Sequence, residues 1–282
     1  MLDLAGVANV IKTAHRMGIS TLREDMDYYG LSLTLGGGEV KLLDMAYAYS
    51  VFANGGKMVG IPVPESRRET GYRELDPVAI LRVEDRDGNI LWEYKEPETR
   101  QVLSPQLAYL MCNVLSDNNA RIAAFGVNNP LHLEDRPVAA KTGTTDDFRD
   151  AWTLGFTPQL VTGVWVGNSD DEPMEHVPGS RGAGPIWHDF MEWATRDMPV
   201  EQFVRPEGIE EHMVCAVSGL LPNEHCPHKI REVFIAGTAP TAVCNVHQAF
   251  QINRETGKLA TVYTPPELVD TVVSVSYTHL TL

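Results

Sequence analysis

Pro137-Val138-Ala139-Ala140-Lys141-Thr142-Gly143-Thr144-Thr145 carries both the sheet and the chemistry of this chain. Its apolar first half reads as a strand entering a core, and its second half as the polar end of that strand. Side chains alternate along a strand, so Lys141 and Gly143 face one way and Thr142 and Thr144 the other, unless the strand twists at its end. A fixed positive charge, short hydroxyl donors and a backbone edge unobstructed at Gly143 suit an anionic, extended substrate. The Thr144 N–H is placed to meet an oxyanion. An ordinary edge strand guarded by a lysine would read the same way over these few residues.

Working outward, the pattern predicts antiparallel strands at 137–144, 150–157 and 160–167, the last two joined through Thr157-Pro158-Gln159. A helix at about 184–196 follows, expected to lay Ile186, Phe190 and Trp193 on the sheet. Trp152 and Trp165 read as core residues. Upstream, Ser104-Pro105 starts a helix as N-cap and first-turn proline, running through Leu107, Leu110, Met111, Val114 and Leu115, with Cys112 buried and inert inside it. Val78 to Tyr94 reads as a hairpin turning at Asp87-Gly88, and Pro62 to Asp76 as a surface loop. A helix at 39–54 presents Val40, Leu43, Ala46, Tyr47 and Val51 on one face and stops at Gly55-Gly56. Gly36-Gly37-Gly38 lacks the spacing and lysine of a phosphate loop and reads as the flexible entry to that helix. The opening residues 2–19 read as an amphipathic helix with Val7, Val10, Ile11 and Ala14 inward and Gly18 at its end. Helices flanking an antiparallel sheet define an α+β fold.

The run Lys141-Thr142-Gly143-Thr144-Thr145-Asp146-Asp147-Phe148-Arg149-Asp150-Ala151-Trp152, continuing to Asn168, resembles the transpeptidase domain of class A penicillin-binding proteins. So do Tyr29-Gly30-Leu31-Ser32-Leu33-Thr34-Leu35-Gly36-Gly37 with Glu39-Val40, then Ala53-Asn54-Gly55-Gly56 and Pro185-Ile186-Trp187-His188-Asp189-Phe190-Met191. The resemblance covers residues 1 to 195 continuously and the tail more loosely. It implies the penicillin-recognising transpeptidase fold, shared with serine β-lactamases, in which the third of three motifs lies on a strand beside a serine-bearing helix. Lys141 would then give electrostatic support, Thr142 and Thr144 would hold a substrate carboxylate within the site 141–145, and the Thr144 N–H would complete an oxyanion hole.

That family joins Ser-x-x-Lys, Ser-x-Asn and Lys-Thr-Gly in one cleft. No serine here is followed three positions later by lysine. Ser116-Asp117-Asn118 matches the second motif in letters but stands too close to Lys141 and at a helix end, where such residues are common terminators. The opening helix resembles the one that follows Ser-x-Asn in the family. The expectation is a fragment: 1–198 the later part of a transpeptidase domain with an incomplete core, 199–272 a cysteine-containing extension, and 275–282 an adapter-derived artefact excluded from fold reasoning.

The resemblance implies, for the parent, a peptidoglycan D-alanyl-D-alanine transpeptidase that forms an acyl-serine and is acylated by β-lactams. It also implies an upstream glycosyltransferase domain and a membrane anchor in the missing N-terminal part, with the catalytic domain outside the cytoplasmic membrane. Peptidoglycan stem peptides and β-lactams are the expected partners, and no cofactor is expected. The alternatives are a carboxypeptidase or β-lactamase, or a noncatalytic sensor of the same fold. The chain itself, lacking the nucleophile, is expected to be inactive. A formal charge of −15 over 282 residues argues against a nucleic-acid partner, and no apolar run approaches the ~20 residues of a membrane span. Asp146, Asp147, Arg149 and Asp150 are expected to shape the cleft mouth, with Arg149 in an ion pair, or to form a plain solvated turn.

Pro199, Pro206 and Gly208 mark a change of texture, after which Cys215, Cys226 and Cys244 appear with His225, His228 and His247 nearby. A zinc site is conceivable, but the spacing is not a C-x-x-C pair, so no metal is assigned. Ser218-Gly219-Leu220-Leu221-Pro222 and Phe234-Ile235-Ala236-Gly237-Thr238 resemble tails of secreted penicillin-binding proteins, which favours a disulfide among the three cysteines. The sequence does not choose the pair.

Overall fold

In the computed structural model, which describes residues 2–275, the chain divides after Pro206 into two units. The first opens with α1 (Leu2–Ala5) and α2 (Val7–Met17). The single helix expected over 2–19 is broken at Gly6, whose φ of 79° lies in the left-handed region. Gly18 closes α2 in the same region, at φ 116°, with its N–H returned to His15. After α3 (Met26–Tyr29) and a 3₁₀ turn at Gly30–Leu35, α4 spans Leu42–Ala53. Gly55 and Gly56, both at positive φ, stop it where the sequence places the stop.

The face of α4 that is buried carries Asp44, Tyr47, Ala48 and Val51, while Leu43 stays 63% exposed, against expectation. A polar anchor sets the rotation. Asp44 accepts bonds from the Ser20 N–H at 3.0 Å and hydroxyl at 2.5 Å and from Arg73 at 2.8 Å. Arg73 also donates to the Gly18 carbonyl at 2.8 Å and pairs with Asp76. Burial alone would raise the Asp44 carboxyl, but the Ser20 and Arg73 bonds hold it below the usual carboxylate range.

Short strands follow: β1 (Lys57–Pro62), β2 (Leu75–Asp76), β3 (Arg82–Glu84), β4 (Ile90–Glu93) and β5 (Glu98–Gln101). β2, β1 and β5 form one small sheet, and β3 and β4 the expected hairpin, turning through Gly88 at φ 84°. Then α5 (Pro105–Ser116) starts at Ser104, whose hydroxyl accepts from the Leu107 N–H. Cys112 is buried on it, and burial pushes its thiol up to about 12. Asp117 caps the next helix, α6 (Asn118–Phe125).

The main sheet of this unit is β6 (Ala139–Thr144), β7 (Asp150–Phe156) and β8 (Val161–Gly167), antiparallel in chain order, within a residue or two of the predicted bounds. α4 packs on β7 and β8, and so does the last helix, α7 (Ala183–Thr195). The expected face of α7 is not the one that packs. Trp187, Met191 and Thr195 are buried, whereas Ile186, Phe190 and Trp193 are 54%, 46% and 63% exposed. Both faces are apolar, so periodicity could not choose. Shape does: Trp187 fits over Gly155, where a Cβ would lie 2.4 Å from its ring, and donates its indole N–H to the Thr162 carbonyl at 3.1 Å.

The second unit, from Glu207, holds two separate ribbons: β9 (Ile209–Cys215) with β10 (Lys229–Ile235), and β11 (His247–Asn253) with β12 (Val269–Val275). The expected artefact at 275–282 lies outside the described residues except for Val275, which ends β12.

Candidate active site

β6 pairs with β7 along one side and, among the described residues, has no strand on the other. The Thr145 N–H bonds back to the Asp150 carbonyl at 3.1 Å, and N–H directions alternate along a strand, so those of Thr142 and Thr144 point to the unpaired edge. The carbonyls on that edge behave accordingly. Ala140 accepts from Arg121 at 3.2 Å and Thr142 accepts from the Lys141 ammonium at 2.6 Å. The lysine therefore lies along the edge that an added strand would use, beside the outward Thr144 N–H.

The register sorts the side chains. Lys141 pairs with Leu154 and Gly143 with Trp152, while Thr142 pairs with Thr153 and Thr144 with Ala151. The first set faces α4; the second faces the loop that carries Gly179, whose N–H is accepted by the Thr144 hydroxyl at 2.9 Å. Thr144 is thus fixed as an acceptor, and its own hydroxyl proton remains to be given. Gly179 sits so close to the sheet that a Cβ would lie 2.4 Å from the Gly143 carbonyl. At the strand end Thr145 donates to the Asp150 carboxylate at 2.9 Å, the Asp150 N–H donates to the Thr145 hydroxyl at 2.8 Å, and the Trp165 indole donates to the other Asp150 oxygen at 2.6 Å.

On the α4 side of this edge is a cavity of about 730 Å³. Residues 141–145 form one wall; Leu35, Gly36 and Gly38 and then Leu42, Met45 and Tyr49 of α4 form the opposite one. Burial raises the Tyr49 phenol, so it stays neutral in use. Trp152 and Trp165, expected in the core, line the cavity instead, and Trp165 is 37% exposed. The glycines at 36–38 do more than enter a helix. Gly36, at φ 96°, ends the 3₁₀ turn, and its missing side chain faces Thr145. The signal that could have found this wall was the glycine run itself, which brings backbone close to the motif strand without side chains in the way.

Beyond the motif, Asp147, Phe148, Asp171 and His176 take positive φ between 53° and 62°, the non-glycine residues to do so among those described. They belong to two loops clasped together: Arg149 pairs with Asp171 at 3.1 Å, Met174 N–H donates to the Phe148 carbonyl, and the Phe148 and His176 rings meet edge to face. Strained backbone held by such contacts is a mark of functional loops. Ser116-Asp117-Asn118 is a helix junction away from the cavity: Asp117 caps α6 and Asn118 accepts from Asn129.

In the second unit Cys215, Cys226 and Cys244 are buried with free thiols, close together. His247 joins them, while His225 and His228 do not.

An antiparallel sheet between helices, with a Lys-Thr-Gly edge strand walling a cleft, defines the architecture of penicillin-recognising proteins. Comparison with known proteins agrees. The family model described as penicillin-binding protein 1A, C-terminal domain, matches residues 205–249. Penicillin-binding protein 1A of Aquifex aeolicus is 35% identical over 87% of this chain and 30% of its own length. That of Clostridium botulinum (strain Langeland) is 31% identical over 97% of the chain and 31% of its own length. The crystal structure of penicillin-binding protein 1A from Haemophilus influenzae superposes with a TM-score of 0.66 at 25% identity, over 86% of this chain and 38% of that one. The chain belongs to the class A penicillin-binding proteins. It spans about 30% of the length of the curated relatives it matches.

Proposed function

We propose that the whole protein is a peptidoglycan D-alanyl-D-alanine transpeptidase acting outside the cytoplasmic membrane, and that this chain supplies the Lys-Thr-Gly wall of its cleft. The observation that carries the reading is the unpaired β6 edge along the cavity, where the Lys141 ammonium donates to the outward Thr142 carbonyl and the next outward N–H is that of Thr144. A stem peptide would add as a strand to that edge. Its terminal carboxylate would meet Lys141 and the hydroxyls of Thr142 and Thr144, as charge-assisted bonds.

A serine hydroxyl would then attack the penultimate D-Ala carbonyl, with the Thr144 N–H stabilising the oxyanion as the tetrahedral intermediate forms. Terminal D-Ala leaves with the proton taken from the serine, and an amine of a neighbouring stem peptide displaces the serine to form the cross-link. A β-lactam acylates the same serine, its ring amide standing in for the D-Ala-D-Ala bond. No Ser-x-x-Lys occurs in this chain, so the nucleophile and its lysine come from elsewhere in the protein. This chain alone should form no acyl-enzyme. Among the described residues no helix is long and apolar enough to cross a membrane.

The test is Lys141→Ala in the whole protein. Acylation by a fluorescent penicillin should slow by about 10²–10³-fold, the cost of losing one preorganised charge contact, with the thermal midpoint nearly unchanged because Lys141 is exposed. An unaltered acylation rate would contradict the assignment.

A further inference from the structure

The second unit gathers Cys215, Cys226, Cys244 and His247 so that their ligand atoms all lie within 4.8 Å of one another. The His247 Nδ1 stands 3.3 Å from the Cys215 sulfur and 3.5 Å from that of Cys244. A tetrahedral ion with bonds of about 2.3 Å to sulfur and 2.0 Å to nitrogen separates its ligands by about 3.5 Å, N to S. A disulfide instead needs two sulfurs at about 2.05 Å and would leave the third sulfur and the imidazole without a purpose. We propose that these four residues bind one structural zinc ion, with three thiolates and the His247 Nδ1 as a closed tetrahedral set.

The local sequence explains how the set is built. Cys244-Asn245-Val246-His247 is a C-x-x-H step, with a histidine where a C-x-x-C pair has its second cysteine. Cys215 ends β9, and a turn at Gly219 (φ 67°) folds back on it: the Gly219 N–H donates to the Cys215 carbonyl, and the Cys215 N–H to that of Leu220. The Asn223 N–H points at the Cys226 sulfur at 3.4 Å, and the Asn223 amide donates to the carbonyls of both Cys244 and His247, tying the two halves together. All four candidate ligands are at most 5% exposed.

The energetics point the same way. The two ribbons of this unit share no sheet, and a lone two-stranded ribbon is marginal in water. The buried cluster of the unit is the three cysteines themselves, with Leu220 and Val246 beside them, and besides these Ile209 and Val214 are its buried apolar side chains among the described residues. So small an apolar core needs a staple, and soft thiolates with one imidazole select zinc over the oxygen-seeking cations. Binding would release the thiol protons and contribute its free energy to folding of the unit.

The experiment measures zinc by mass spectrometry in the purified 282-residue chain, with cobalt substituted for zinc as a second readout. One zinc per chain and the visible bands of tetrahedral cobalt thiolate are expected. Cys226→Ser and His247→Ala should lose the metal, and His247→Cys should keep it, so that loss of a ligand is distinguished from loss of fold. Chelation should expose the second unit to limited proteolysis. A folded chain without zinc, a disulfide joining two of the three cysteines, zinc content unchanged by Cys226→Ser, or no zinc in a folded His247→Cys chain would each overturn the proposal.

Discussion

Among single residues, Asp44 shows how much of this fold rests on a group that hydrophobic periodicity ignores. It sits at 3% exposure among the Ser20 and Arg73 donors and sets the rotation of α4, whose other side lines the cavity. Its pKa is lowered on folding, so its contribution is fully present above the ordinary carboxylate value of about 3.9 and is lost as the pH falls through the lower folded value. Asp44→Asn should cost about 3 kcal/mol at neutral pH, since it leaves Arg73 short of a charge partner. Urea midpoints of the two proteins, far apart at pH 7, should converge below about pH 4. At this scale the sequence was legible where the residue type has one use. The Ser104 cap, the stops at Gly18 and Gly55, and the five residues of the motif could be read directly. It was not legible where the partner is remote: Arg73 lies 29 positions from Asp44, and His247 lies 32 from Cys215.

At the scale of elements, the strands of the main sheet were readable because each alternates or runs apolar between turn residues, and register then followed from the short connections. α7 was readable as a helix but not in its rotation. Apolar residues lie on more than one side of it, and the missing side chain at Gly155, over which the Trp187 ring lies, accounts for which side packs. Trp187→Ala should therefore destabilise the first unit by about 3–5 kcal/mol through the cavity it leaves. Ile186→Gln, on the side expected from sequence to be buried, should change stability by less than about 0.5 kcal/mol. Chemical denaturation of the two variants measures both. The edge of β6 is the element that serves function: its outward N–H groups could be assigned from pairing geometry alone, whereas the cavity facing it required the position of the 36–38 glycines and of α4.

For the whole molecule, the chain divides after Pro206, and each unit is held by different means. The first buries aliphatic and aromatic clusters around its sheet. The second gathers sulfur and imidazole where an apolar core would be. The disulfide expectation rested on the absence of a C-x-x-C pair and on the resemblance of the tail, and neither weighs the histidine that the fold brings beside the three sulfurs. The family was legible from the motif run and its neighbours, and the chain spans about 30% of the length of the curated relatives it matches. The most direct test of that account is peptide mapping after reaction of the whole protein, and separately of this 282-residue chain, with a fluorescent penicillin. The account predicts a single acylated serine in the whole protein, outside the residues described here, and no label on the isolated chain. An acylated serine within residues 2–275 would contradict it.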